Sequence, residues 1–433
     1  MSAPVDAAPP ARPWTPAAWL PRRGSPLARS VLETLGTRVV LLGLAMVANV
    51  LVARALGPAG RGYYGVAAAV TGLAVQFGTF GLHASNTFHV ARGRGRVTLL
   101  VANSLLVAFG LGGTIAAVCF AVFFRWPERA PLYGLPMVLA LAAVPFSLAY
   151  VLLQSVLLGL EEFRACNKLE AALALFGLAW AAALVVAGRA TVTTLLAGAV
   201  LGGVLVSGAA LARLRPYLRG RVRPSRALLG STLRYGLRGY AAGCFAYLVQ
   251  RTDLLILDRV HGSRETGYYA AAVSVAMVLG VVPTALGTIL FPRLSAMRDP
   301  EERWRVVARV LPRLAAVMAA AAVLGALLAG PAVLLLFGAE FAPAVAPLRL
   351  LMPAVLLLSV NSVLMNYLAS SGMPPVTVYS PAAATAVNVG LNLWLIPRLG
   401  GTGAAVSSLV AYACMLGFSV AYLRRERRRR EPR

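Results

Sequence analysis

The chain has 433 residues, of which 59% are hydrophobic and 13% charged, with a formal net charge of +26. A soluble domain carries about 25% charged residues, so this composition cannot cover a water-facing surface and the chain is read as embedded in lipid. The positive charge comes from 40 Arg and a single Lys168 scattered between apolar runs; no RNA- or DNA-binding motif accompanies it, which excludes a nucleic-acid partner.

In chain order, residues 1–34 are rich in Pro and are expected to form a disordered cytoplasmic tail. They do not read as a cleaved signal, because the first apolar run is long enough to span and many more follow. A helical crossing needs about 20 apolar residues. Twelve runs qualify, at roughly 35–56, 63–83, 97–124, 132–160, 166–187, 191–214, 236–257, 268–291, 306–337, 346–370, 375–397 and 401–423. The expected architecture is an all-α polytopic membrane protein. A first six-helix bundle covers 35–214 and a second covers 236–423. Between them, the basic stretch 215–235 suits an interfacial linker against anionic headgroups. Residues 424–433 form a basic cytoplasmic tail.

The positive-inside rule orients the chain. With both termini in the cytoplasm, 31 of the 41 Lys and Arg fall on that side. The expected location is therefore the cytoplasmic membrane, crossed an even number of times.

Two phrases recur: "GRGYYGVAAAV" from Gly60 and "ETGYYAAAVSV" from Glu265. One offset of 205 pairs Arg54 with Arg259, Gly57 with Gly262, Gly62 with Gly267, Tyr63 with Tyr268 and Tyr64 with Tyr269. Six intervening spans preserve orientation, so the pattern predicts a parallel internal repeat with the working site between the copies. The plainer reading is a glycine at an outer turn followed by tyrosines at headgroup depth.

Polar groups inside a bilayer are costly and mark function by default. Arg251 in "VQRTDLLILDR" could hold a pyrophosphate by charge-assisted hydrogen bonds. Asp253 could carry a coupling proton, orient an Arg, or sit in an ion pair near the outer interface. Arg38 either snorkels to the headgroups or faces a central cavity. Glu170 is either an interfacial residue or a buried proton site. Asn49, Gln76, Gln154, Gln250, Asn361 and Asn388 either pack helix on helix or line a sugar path. Cys119, Cys166, Cys244 and Cys414 have no C-x-x-C spacing, and His83 and His89 lack a ligand partner, so no metal or cofactor is expected.

"VARALGPAGRGYYGVAAAV", "LLQSVLLGLEEFRACNKLEA", "QRTDLLILDRV" and "VNVGLNLWLIPRLGGTGAAVSSLVAY", in this order, resemble the Wzx-like polysaccharide flippases of the multidrug/oligosaccharidyl-lipid/polysaccharide exporter superfamily. The resemblance covers about residues 28–423. It implies two six-helix bundles around a central cavity that works by alternating access. The implied substrate is a polyprenyl-pyrophosphate-linked oligosaccharide moved to the outer leaflet for cell-surface polysaccharide synthesis. It also implies a cationic cavity, for which Arg38 and Arg251 are the matching candidates, with Asp253 at the acidic position of the seventh helix. A polysaccharide polymerase or glycosyltransferases are the partner enzymes expected in that setting. The alternative on the same fold is a drug or cation exporter. A membrane enzyme is not expected, because no carboxylate cluster or large outer loop supports acid–base or metal chemistry.

Overall fold

The computed structural model describes residues 26–93, 96–127, 132–220, 223–297 and 299–430. Fourteen helices account for most of them, and no strand occurs among the described residues. The first half holds α1 (Pro26–Thr79), α2 (Leu82–Arg92), α3 (Val97–Leu106), α4 (Gly112–Arg125), α5 (Gly134–Gly159), α6 (Phe163–Val186) and α7 (Val192–Leu214). The second half holds α8 (Arg226–Leu248), α9 (Thr252–Ala276), α10 (Val281–Ala296), α11 (Pro300–Leu327), α12 (Ala329–Phe337), α13 (Val345–Ser370) and α14 (Val376–Arg430). A π-helical turn at Val107–Leu111 joins α3 to α4 as one long rod.

Nine helical stretches are long and apolar enough to cross a membrane. Three of them, of 42, 49 and 54 residues, far exceed one crossing. Each reverses at a glycine: Gly57 (φ 65°), Gly262 (φ 78°) and Gly400 (φ 56°). An L side chain is strained in this backbone region, so glycine is what lets each helix fold back on itself. The three turns lie at one end of the molecule, called here the turn end. The opposite end, which carries Arg213, Arg303 and the Arg-rich finish of α14, is the basic end.

Large apolar side chains point outward along the helices: Phe124, Leu327 and Leu335 are all more than 70% exposed. In water this would drive aggregation; in hydrocarbon it is the required surface. Inside the second half, Tyr269, Phe337, Phe341 and Met352 pack among small residues of α9 and α14.

Helix limits differ from the sequence expectation at three places. Residues 1–25 lie outside the described residues, but from Pro26 the chain is already α1, so part of the expected tail is helical. The expected linker 215–235 is partly helix too, because Ser225 caps α8 by accepting from the Leu228 amide at 3.3 Å. The basic C-terminal stretch continues α14 to Arg430.

The halves meet at both ends. At the turn end the arm of α1 after Gly57 crosses the arm of α9 after Gly262, and Arg54 donates from Nε to the Leu336 carbonyl at 2.7 Å at the close of α12. A cation there also complements the helix dipole. At the basic end α2 meets α8, with Phe88 stacked on Tyr235 at 4.1 Å and Phe80 on Tyr240 at 5.5 Å. On the opposite flank α1 faces α10 and α13 across a cavity.

Candidate binding cavity

Three adjoining cavities run through this arrangement. The largest, 880 Å³, lies between α1, α10 and α13, and Arg38, Gln250 and Asn366 contribute to its wall. It shares Leu42, Ala45 and Met277 with a second cavity of 310 Å³ nearer the turn end. The second cavity shares Ala45, Asn49 and Tyr64 with a third, of 550 Å³, inside the first bundle.

The middle cavity is cationic. Arg61 and Arg251 both line it, and no Asp or Glu does. Arg61 is only 6% exposed. Its guanidinium donates to Asn49 Oδ1 at 2.8 Å and to Ser274 Oγ at 3.0 Å, and its Nε has no partner among the described residues. A buried charge is ordinarily paired. Here the ring of partners is neutral, so the positive potential stays open to an anion.

The fold explains the position of Arg61. The turn at Gly57 lays the two arms of α1 against each other, which brings a side chain after the turn back to Asn49 before it. Arg61, Gly65 and Ala68 share one face that lines the cavity, and the small residues leave the space that the guanidinium faces. In the sequence Arg61 falls between the apolar runs 35–56 and 63–83, the place of a loop, and it is not among the sequence candidates. The signal was present as Arg followed by small residues at helical spacing.

Arg251 arises differently. α8 stops at Leu248, and residues 249–251 form a non-helical step before α9. Arg251 caps α9 from that step and lies 5.9 Å from the Tyr247 ring centroid. Asp253, two residues on, points elsewhere, into the second bundle, and is 3% exposed. It accepts from the Leu254 amide at 2.8 Å and from the Tyr269 hydroxyl. Close by, Asn388 Oδ1 accepts from Asn392 Nδ2 at 2.9 Å and faces the Thr252 hydroxyl at 3.4 Å. Asn388 Nδ2 and Asn392 Oδ1 are buried without partners among the described residues, and the buried Ser408 hydroxyl lies beside that of Tyr269. Unsatisfied buried polar atoms are rare and point to an absent ligand or water.

The remaining candidates lie in different places. Arg38, Gln154 and Glu170 come together: Arg38 pairs with Glu170 at 3.1 Å, and Gln154 donates to Glu170 at 2.7 Å. Arg38 thus reaches the large cavity already paired with a carboxylate. Asn49 and Gln250 line cavities. Asn361 instead accepts from Ser419 at 2.8 Å, both buried, and joins α13 to α14. Gln76 sits beside Gly243 of α8. All four cysteines are free, and among the described residues no group of three or more His, Cys, Asp and Glu is assembled as for a metal.

Helices paired across a cavity, with the buried Arg61 and the half-buried Arg251 on its wall, fit a multi-spanning membrane protein of the transporter type. Solved structures agree on the fold. A multidrug resistance MATE family transporter of the MOP superfamily, captured inward-facing, aligns with TM-score 0.71 at 15% identity over 91% of this chain and 99% of that one. The lipid II flippase MurJ in an inward closed conformation aligns with TM-score 0.72 at 11% identity over 91% and 87%. The chain belongs to the polysaccharide biosynthesis protein family, whose pattern matches residues 27–298. It is also 26% identical over 200 residues to the "Probable flippase AglR" of Haloferax volcanii, a match spanning 44% of this chain and 41% of that relative.

Proposed function

We propose that this protein is a flippase that moves a polyprenyl-pyrophosphate-linked oligosaccharide from the inner to the outer leaflet of the cytoplasmic membrane, for cell-surface polysaccharide synthesis. The observation that carries this reading is the 310 Å³ cavity with Arg61 and Arg251 on its wall and no carboxylate. A diphosphate supplies the two negative charges that such a pair lacks, through charge-assisted hydrogen bonds worth more than neutral ones. The family membership and the flippase relative support the same substrate class.

In this reading the basic end faces the cytoplasm, and the three double-length helices supply two crossings each, giving twelve. The headgroup enters between α1 and α10, where the 880 Å³ cavity has room for the first sugars. It then moves to Arg61 and Arg251. The closed turn end, where α1 crosses α9, bars the far side until the bundles rock. The two crossing arms act as equivalent copies of one repeat, which suits a pivot on a pseudo-twofold axis.

Asp253, with Tyr269, Asn388, Asn392 and Ser408, is the coupling-ion site in this proposal. A proton on Asp253, or a monovalent cation held by these oxygens, would bias the packing of α9 against α14, and α9 is the helix that closes the turn end. The alternative, export of a cationic drug, is disfavoured by the same cavity, since a cation there would face two arginines without a counter-charge. A polymerase and glycosyltransferases are the enzymes that would consume and supply the cargo.

The test is flipping of a lipid-linked oligosaccharide in proteoliposomes, read by the susceptibility of the glycan to an added glycosidase. Wild type is expected to expose the glycan, and Arg61→Ala to lose that exposure. Unaltered flipping by Arg61→Ala contradicts the reading.

A further inference from the structure

The third cavity, inside the first bundle, is unlike the other two. Its wall comes from α1, α5, α6 and α7 and contains no charged side chain. Small residues keep it open: Ala48, Ala174, Gly177, Ala181 and Ala199 line it, with Trp180 as one aromatic wall. Its 550 Å³ lies within the roughly 300–1,000 Å³ range of cavities that hold small ligands. A close-packed interior does not leave such a space without cause.

Two features indicate what fills it. The cavity shares Asn49, Tyr64 and Ala45 with the cationic cavity, so an anionic group on Arg61 is continuous with an apolar slot. The helix that walls the slot, α6, is also peripheral, with only Cys166 and Ala181 of its residues buried, so the slot lies one helix away from lipid. A hydrocarbon chain joined to a headgroup on Arg61 can therefore enter the slot through the wall that the two cavities share. One end takes negative charge and the other takes hydrocarbon, which is the chemistry of an amphiphile with a phosphorylated head.

We infer that this slot holds the first isoprene units of the polyprenyl diphosphate while the diphosphate sits on Arg61 and Arg251. This rests on the lipid-linked substrate proposed above and assigns a place to the part of that substrate that is not sugar. The slot selects for a branched hydrocarbon joined directly to a diphosphate. A phosphodiester lipid carries its acyl chains on glycerol, farther from the charge, and fits less well.

Gly177 gives a direct test, because a Cβ there meets no atom within 4 Å. Gly177→Leu therefore adds a side chain to the slot wall from a Cβ position that is free of contacts, and leucine favours a helix interior over glycine. Binding of inorganic pyrophosphate and of farnesyl diphosphate to the full-length protein is measured in micelles containing excess phosphatidylglycerol. Wild type is expected to hold farnesyl diphosphate at least about tenfold tighter than pyrophosphate. Gly177→Leu is expected to erase that advantage and leave pyrophosphate binding unchanged, whereas Arg61→Ala weakens both. Equal binding of the two probes by wild type, an advantage retained in Gly177→Leu, or one abolished by the phosphatidylglycerol overturns the slot assignment. Tight farnesyl binding that is insensitive to Arg61→Ala instead overturns the cationic headgroup site, so the two failures are distinguishable.

Discussion

Gly62 and Gly267 cross in backbone contact at the turn end. A Cβ on Gly62 would lie 1.7 Å from the Ser263 carbonyl oxygen, and one on Gly267 would lie 1.8 Å from the Pro58 carbonyl oxygen. Each glycine thus meets the turn of the opposite half, and no side chain fits between them. These are the same two positions that the 205-residue offset pairs in the sequence. The small-residue contact lets two membrane helices approach at backbone distance, and in the proposed cycle it is the contact that must part when the outer side opens.

Gly62→Ala and Gly267→Ala are therefore expected to disfavour the closed turn end and populate an outward-open form. Cysteines placed on either side of the crossing report this by cross-linking. Glycine-to-alanine substitution ordinarily stabilises a helix by about 0.5–1 kcal/mol, so an unchanged cross-linking yield would mean that the crossing adjusts and is not the gate.

Asp253→Asn is expected to remove any dependence of flipping on an imposed pH or sodium gradient while the protein still inserts. Tyr269→Phe, which deletes a hydroxyl donor to Asp253, is expected to weaken that dependence in part. Full gradient dependence in Asp253→Asn would return this cluster to a purely packing role.

Glu162, at the turn between α5 and α6, accepts from Arg213 at 2.8 Å and from the Tyr217 hydroxyl. These two hydrogen bonds, the Tyr217 one foremost, hold its carboxyl below the usual carboxylate range. The stabilisation is therefore present above about pH 4.3, the unperturbed Glu value, and is lost as pH falls through the lower folded-state value. The Tm difference between wild type and Glu162→Gln is expected to be small and flat from neutral pH to about pH 5, and to vanish in stronger acid. A difference that grows on acidification would contradict the assignment.

Much of this architecture was legible in the sequence because membrane helices announce themselves by length and apolarity, and because Gly57 and Gly262 punctuate them. The tyrosines paired by the 205-residue offset have different surroundings. Tyr268 and Tyr269 are buried, whereas Tyr63 bonds the Tyr133 backbone and is only half-buried. What Gly62 and Gly267 supply is close approach, while Gly57 and Gly262 make the turns. Of the candidate site, Arg251 and Asn49 could be read from their apolar surroundings. Arg61 could not be placed while its segment was counted as a loop, because its role depends on a hairpin that folds it back beside Asn49. Asp253 and Arg251 are neighbours in sequence yet serve different spaces, since the step at 249–251 sends one toward the cavity and the other into the bundle.

The most direct test of the central claim is the initial rate of lipid-linked oligosaccharide flipping in proteoliposomes, compared between wild type, Arg61→Ala and Arg61→Lys at matched reconstitution. The account expects a loss of at least about tenfold for Arg61→Ala, in line with the roughly 1.5–3 kcal/mol carried by a hydrogen bond to a charged group. Arg61→Lys, which keeps the charge and loses the fork, is expected to fall between the two. Wild-type rates in Arg61→Ala would contradict the account.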